Sequence, residues 1–193
     1  FSGLAHRFNH LKNSNSESGS KKNIVAHYDL GNDLYESFLS EEMLYSCAVY
    51  PSKDASLEDA QQNKLKQICE QVEINEGDSV IEIGTGWGAF AIYAATHYNC
   101  HVTTTTISDE QYAYVENKVK QLGLENNITL LKLDYRLLEG QYDKLVSIEM
   151  IEAVGHEYLP SFFKQCNSLL KEDGAMLIQA ITIGDQRYQH YLK

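Results

Sequence analysis

One stretch limits what this chain can fold into more than any other: Ser79-Val-Ile-Glu-Ile-Gly-Thr-Gly-Trp-Gly-Ala-Phe90. Ser79 to Ile83 reads as a buried strand and runs straight into Gly84-x-Gly86-x-Gly88, after which Ala89, Ile92, Tyr93 and Ala94 begin a helical pattern. A strand, a glycine turn and a helix in that order build a cofactor crevice at the carboxyl end of an α/β sheet. The spacing differs from the G-x-G-x-x-G that seats a pyrophosphate on a helix N-terminus. Glu82, two residues before the first glycine, suits a cationic ligand instead, because a helix N-terminus repels positive charge and needs a carboxylate beside it. These features fit S-adenosylmethionine, a sulfonium cofactor.

The rest of the chain repeats the strand–helix rhythm. Ser56-Leu-Glu-Asp59 has the form of a capping box, and Leu65, Ile68, Cys69 and Val72 follow on one helical face. His101–Thr106 reads as a second strand, and Ser108-Asp-Glu-Gln111 as another capping box. It opens a helix with Tyr112, Val115, Val119 and Leu122 inward and Gly123 at its end. Ile128–Leu133, Lys144–Met150 and Ala175–Thr182 complete five expected strands. A helix over Tyr158–Leu170, with Leu159, Phe162, Phe163, Cys166 and Leu169 on its apolar side, precedes a turn at Lys171–Gly174. Near the N-terminus, Leu34, Tyr35, Phe38 and Leu39 stand at helical spacing. The alternation predicts a doubly wound, mainly parallel sheet with helices on both faces, the Rossmann-like layout of a class I methyltransferase. Three regions are expected: a flexible segment over 1–23, a helical region over the site at 24–75, and a cofactor-binding core over 76–193.

Composition narrows the function. Hydrophobic residues make up 43% and charged residues 22% of 193 positions, as in a soluble globular protein. The net charge of −11 argues against nucleic-acid binding. Residues 1–28 run the other way, with Arg7, Lys12, Lys21 and Lys22 against Glu17, so this lead segment could rest on an anionic membrane surface. No apolar run is long enough for a membrane span, which points to a cytoplasmic protein, at most peripheral to the inner face of the membrane. The four cysteines and seven histidines form no metal-binding spacing.

In a sheet of this kind the ligand lies outside the carboxyl ends of the strands. The candidates are therefore Glu82 to Gly86, Thr106-Ile107, Asp134-Tyr135, Ile148-Glu149 and Gln179 to Ile181. Asp134 could accept from an adenine amino group or simply cap a turn. No carboxylate follows the second strand to grip a ribose. Thr104, Thr105 and Thr106 stand there instead, and Gln111, one turn into the next helix, is the nearest substitute.

Ala26-His-Tyr-Asp-Leu-Gly-Asn-Asp33, Tyr45-Ser-Cys47, Gly84-Thr-Gly-Trp-Gly88, Thr106-Ile-Ser108 with Gln111, Asp134-Tyr135 and Ile151-Glu152-Ala-Val-Gly155 together resemble the cyclopropane-fatty-acyl-phospholipid synthases and the related mycolic acid cyclopropane synthases. The resemblance runs from about Ala26 to Ile183. It implies an S-adenosylmethionine-dependent enzyme that acts on a double bond of an unsaturated phospholipid or fatty-acyl chain, forming a cyclopropane ring or a methyl branch. By position, Tyr45, Ser46, Gly84, Gly86, Thr106, Gln111 and Tyr135 would line the cofactor. Cys47, Glu152 and the backbone of Ile181 would surround a bound bicarbonate that serves as base. Gln179 stands where many members of the family carry a histidine at that anion site, and a glutamine amide donates a hydrogen bond but does not titrate.

Three readings remain open on sequence alone: the lipid-modifying enzyme, a small-molecule C- or N-methyltransferase on the same sheet, and an inactive cofactor-binding fragment. Leu34, Tyr35, Phe38 and Phe162 are candidate walls for an acyl chain. The last expected strand would present an uncovered apolar edge, which predicts a homodimer.

Overall fold

The computed structural model describes residues 32–184 and 186–187. The expected linker at 13–23, the basic lead segment, the Ala26–Gly31 part of the first motif and most of the polar tail lie outside the described residues. Within them, Ser79–Ile83 forms β1, and Val80, Ile81, Glu82 and Ile83 are all buried. Burial of consecutive residues means that both faces of this strand are covered, the signature of a parallel sheet between helices.

The elements follow in order as α1 (Asn32–Glu36), α2 (Leu57–Gln71), β1, α3 (Ala89–Tyr98), β2 (His101–Thr106), α4 (Asp109–Leu122), β3 (Ile128–Lys132), β4 (Tyr142–Ile148), α5 (Leu159–Leu169) and β5 (Leu170–Gln179). The five strands are arranged β3-β2-β1-β4-β5, every pairing parallel. The chain thus steps outward from β1 to β3 and returns to the other side of β1 with β4. That reversal opens a crevice between the carboxyl ends of β1 and β4.

Helices cover both faces, as the alternation predicts. On one side Leu65, Ile68, Phe90, Ala94 and Val115 pack over Val80, Val102 and Val146. On the other, Phe162, Cys166 and Leu169 pack over Ile81, Ile83 and Leu145. Full burial of each Val, Leu, Ile or Phe among them contributes about 1.5–3 kcal/mol. The capping box at Ser56 is complete, with the Ser56 hydroxyl accepting from the Asp59 amide and the Asp59 carboxylate accepting from the Ser56 amide. At Ser108 only half of it forms. The hydroxyl caps the Gln111 amide, but the Gln111 side chain turns to Thr106, whose hydroxyl donates to Oε1 at 2.8 Å.

The structure corrects several expectations. Lys171–Gly174 is part of β5 rather than a turn before it: the strand begins at Leu170 and shifts register opposite Tyr142 and Lys144. The Lys171 ammonium bridges Asp143 at 2.8 Å across this bulge, and Gly174 leaves room for the backbone carbonyls of Lys171 and Asp143. The strand ends at Gln179 rather than Thr182, and β4 runs from Tyr142 to Ile148. Leu122 lies in the last turn of α4 and is exposed; so is Phe163, which meets the edge of Phe162. Helix α1 is five residues long, so its spacing buries Tyr35 alone and leaves Leu34 and Phe38 exposed.

Candidate functional site

A cavity of about 940 Å³ opens where the topology places it, outside the carboxyl ends of β1, β2 and β4. One wall is the glycine loop. Gly84 and Gly86 both take left-handed backbone, φ 96° and 52°, which side chains rarely adopt. A Cβ on Gly84 would press on Met150 at 3.1 Å, whereas a Cβ on Gly86 would meet no protein atom within 4 Å and would fill the cavity itself. The loop therefore keeps a bare backbone face where a ligand can lie.

Below it, Glu82 is buried and accepts a 2.6 Å hydrogen bond from the Thr104 hydroxyl. Burial pushes its carboxyl up to about 8, and the Thr104 bond holds it down only in part. A cation placed beside Glu82 would restore the charged form. Thr85 lies on the same wall, its hydroxyl buried with no hydrogen-bond partner among the described residues. Ile107, Gln111 and Thr106 close the β2 side, and Tyr135 and Ile148 the far side. These residues fit a compact cationic nucleoside.

Asp134 also lines the cavity, but its carboxylate is committed elsewhere. Oδ1 accepts from the backbone amide and Nε of Arg136, and Oδ2 from Nη2 at 2.6 Å. Burial alone would raise this carboxyl; the Arg136 hydrogen bonds and charge outweigh it and hold the group below its usual value. Of the two roles left open for Asp134, the structure shows the cap.

The second wall is the irregular run Met43–Ala48, which helix α2 grips from beneath. Gln61 Nε2 donates to the carbonyls of Leu44 and Ser46, and the Lys64 ammonium donates to the Ser46 hydroxyl at 2.6 Å. Lys64 is 1% exposed. Burial lowers its pKa to about 8, although the Glu149 carboxylate close by pulls it back up. Tyr45 and Cys47, held on this run, face the cavity and are exposed. The Cys47 thiol is therefore not a small core hydrophobe.

The third corner gathers groups far apart in sequence. Glu149 Oε1 accepts from the Cys47 amide at 3.0 Å and from Gln179 Nε2 at 2.8 Å. Gln179 Nε2 also stands 3.5 Å from Cys47 Sγ. Glu152 Oε1 accepts from the Ile181 amide at 2.5 Å. Cys47, Glu149, Glu152 and Ile181 line the cavity; Gln179 does not, and reaches the corner through Glu149 and Cys47. The expected bicarbonate does not fit this arrangement. Its donors, the Ile181 amide and the groups around Cys47, are already taken by two protein carboxylates.

Sequence reasoning named Glu149 as a strand-end position but gave it no role. An acidic residue immediately after the strand that borders the switch point was the available signal. The expected acyl walls also change. Phe38 lines the cavity, but Tyr35 packs with Met43 and Trp87, Leu34 is exposed, and Phe162 belongs to the core under α5. Leu39, Met43, Leu44, Tyr50 and Leu57 supply the apolar lining instead.

Residues 15–193 match the family model described as mycolic acid cyclopropane synthetase. The chain is 38% identical over 179 residues to a tuberculostearic acid methyltransferase of Mycobacterium tuberculosis, covering 89% of this chain and 42% of that protein. It is 41% identical over 161 residues to the cyclopropane-fatty-acyl-phospholipid synthase of Escherichia coli, covering 83% and 40%. The fold matches a mycolic acid cyclopropane synthase, CmaA1, crystallised with SAH and CTAB: the TM-score is 0.83 at 30% identity, over 89% of this chain and 60% of that one. The chain spans about two fifths of the length of these curated relatives.

Proposed function

This chain belongs to the mycolic acid cyclopropane synthetase family, and on that premise we propose that it transfers a methyl group from S-adenosylmethionine to a double bond of an unsaturated lipid acyl chain. The observation that carries this reading is the continuity of the cavity. The glycine loop with Glu82 and the apolar wall of Leu39, Leu44, Tyr50 and Leu57 bound one space, so a charged cofactor and a hydrocarbon chain can meet inside it. The solved relative bound to SAH, the demethylated cofactor, and to CTAB supports the same pairing.

S-adenosylmethionine, when bound, supplies an electrophilic methyl on a sulfonium. The residues do the rest. Gly84 and Gly86 let the backbone approach the ligand, Glu82 balances its positive charge, and Gln111, Thr106, Ile107, Tyr135 and Ile148 bound its nucleoside end. Tyr45 and Ser46, fixed from below by Gln61 and Lys64, hold the reacting end in place. An alkene is a weak nucleophile, so much of the rate comes from this alignment in a site that excludes water. The cation left on the acyl chain needs negative charge nearby, and the corner of Glu149 and Glu152 supplies it. Residues 76–193 act as the core and 24–75 as its cover. No helix among the described residues is long and apolar enough to cross a membrane. Exposed Phe38 and Tyr50 at the cavity wall, together with the basic residues before Tyr28, support a protein that works at the inner membrane surface. The outer strand β5 supports pairing into a homodimer.

The test is to incubate the chain with methyl-labelled S-adenosylmethionine and vesicles of a cis-monounsaturated phospholipid. The expected product is label in acyl chains heavier by one CH2 unit. Label in a small amine with none in the lipid would replace this reading by the small-molecule one. Tight SAH binding with no transfer to either would leave a cofactor-binding module.

A further inference from the structure

We propose that Glu149 is the resident anion of this site: its carboxylate stands where a bicarbonate would be held and takes the proton that completes the reaction. The inference rests on the lipid-methyltransferase reading, and its test separates the two.

Three observations converge on Glu149. First, the donors are spent. The Cys47 amide and the Gln179 side chain both donate to Glu149 Oε1, and the Ile181 amide donates to Glu152. A free bicarbonate would have to displace a tethered carboxylate from each and then sit beside two negative charges. Each such like-charge contact in a partly desolvated corner disfavours the second anion. A buried ammonium, Lys64, already faces Glu149 from beneath the loop.

Second, the backbone is strained to place this side chain. Glu149 has φ 49°, one of four non-glycine residues with positive φ among the described residues. Such a conformation is strained for a residue with a Cβ and persists where the surroundings demand it. Glycine would be the unstrained choice here, so the carboxylate is what the strain secures. Third, the second oxygen is open. Oε2 has no hydrogen-bond donor among the described residues, and Glu149 lines the cavity. One oxygen is anchored while its twin is ready to accept a proton.

The chemistry balances without a co-reactant. The π pair of the acyl double bond forms a bond to the methyl carbon, and the methyl–sulfur pair stays with sulfur as SAH leaves. The neighbouring acyl carbon is then a cation, which the Glu149 carboxylate stabilises. Glu149 removes a proton from the new methyl group, and that C–H pair closes the ring onto the cationic carbon. The neutral Glu149 acid returns its proton to water.

The experiment uses the full chain, Glu149→Gln and Glu149→Gly. Glycine suits the left-handed backbone, so the second variant removes the carboxylate and relieves strain together. Binding of carbon-13 bicarbonate is followed by NMR, independently of turnover. The wild-type chain should show no saturable binding, and Glu149→Gly should gain it on the freed Cys47 and Gln179 donors. Turnover on phospholipid vesicles is then compared in carbon-dioxide-depleted buffer with and without added bicarbonate. Wild type should be indifferent, Glu149→Gln should lose roughly 10²–10⁴-fold, and Glu149→Gly should be partly rescued by bicarbonate. Saturable bicarbonate binding by wild type, a wild-type rate that collapses on depletion, or a Glu149→Gln variant with normal turnover would each overturn the proposal. If wild type transfers no methyl to lipid, the proposed function falls, and the binding arm still decides whether Glu149 fills the anion site.

Discussion

The two ends of the cavity are built in opposite ways. The cofactor wall comes from one unbroken run, Ser79 to Phe90, in which strand, loop and helix follow within a dozen residues. The anion corner is assembled across the chain: Cys47 meets Glu149 over 102 residues and Gln179 over 132. A wall made locally depends on backbone conformation, which glycine controls. A corner made at long range depends on side-chain hydrogen bonds that several elements must hold in place together. Damage to the first should remove binding, and damage to the second should remove chemistry while sparing binding.

The largest effect tests the first half of that contrast. Gly86→Val puts a branched side chain into the ligand's space at φ 52°. SAH affinity measured by calorimetry should fall by at least about a hundredfold, or about 2.7 kcal/mol; an unchanged affinity would break the comparison at its stronger end.

A smaller effect tests the corner. Glu152→Ala removes one of the two carboxylates of the corner and leaves the Ile181 amide without its protein acceptor, so turnover should drop roughly ten- to a hundredfold with SAH affinity unmoved. Glu152→Gln keeps an oxygen acceptor for the Ile181 amide but removes the charge, so turnover should stay reduced with SAH affinity again unmoved. A variant that loses SAH binding as well would merge the two ends into one.

Smaller again is a proton. Because the folded-state value of Glu82, about 8, lies above its ordinary 4.5, the folded chain holds a proton that the unfolded chain releases. Its stabilising contribution is complete below about pH 4.5 and is lost as pH rises through about 8. A cationic ligand favours the carboxylate, so S-adenosylmethionine uptake near neutral pH should release up to roughly one proton, and SAH, whose sulfur is an uncharged thioether, should release less. Calorimetry in buffers of different ionisation enthalpy reads this, and Glu82→Gln should abolish the release and flatten the part of the stability slope that lies between about pH 4.5 and 8. The smallest effect is a control: Leu122→Ser, at the exposed far end of the helix that carries Gln111, should change stability by no more than about 0.5 kcal/mol and leave binding and turnover alone.

The same contrast explains what could be read from the sequence. The order of strands and helices was legible because each is announced by local signals, such as the capping box at Ser56, the glycine after Leu122 and the β-branched run of β2. The positions of Gly84, Gly86, Thr106 and Gln111 around the cavity followed from that order. What stayed hidden depends on partners far along the chain. Asp134 looks like a free acceptor until Arg136 is seen folded onto it, and Phe162 looks like a cavity wall until α5 is docked on the sheet. Glu149 shows no periodicity and no motif, and only the approach of Cys47 and Gln179 gives it meaning. The bulge at Gly174 escaped notice because Lys-Glu-Asp-Gly has the composition of a turn, and only pairing with β4 draws it into a strand.

The chain's single tryptophan carries a practical consequence. Trp87 sits inside the glycine loop, 4% exposed, with its indole N–H donating to Asn32 at 3.0 Å and its ring 4.7 Å from Tyr35. Its emission therefore reports on one place only, the seam where the N-terminal cover meets the cofactor wall. Any ligand that shifts that seam would change the wavelength or yield of a single chromophore, with no label attached and no second tryptophan signal to subtract. The optical readout for cofactor arrival is already wired into the turn that receives it.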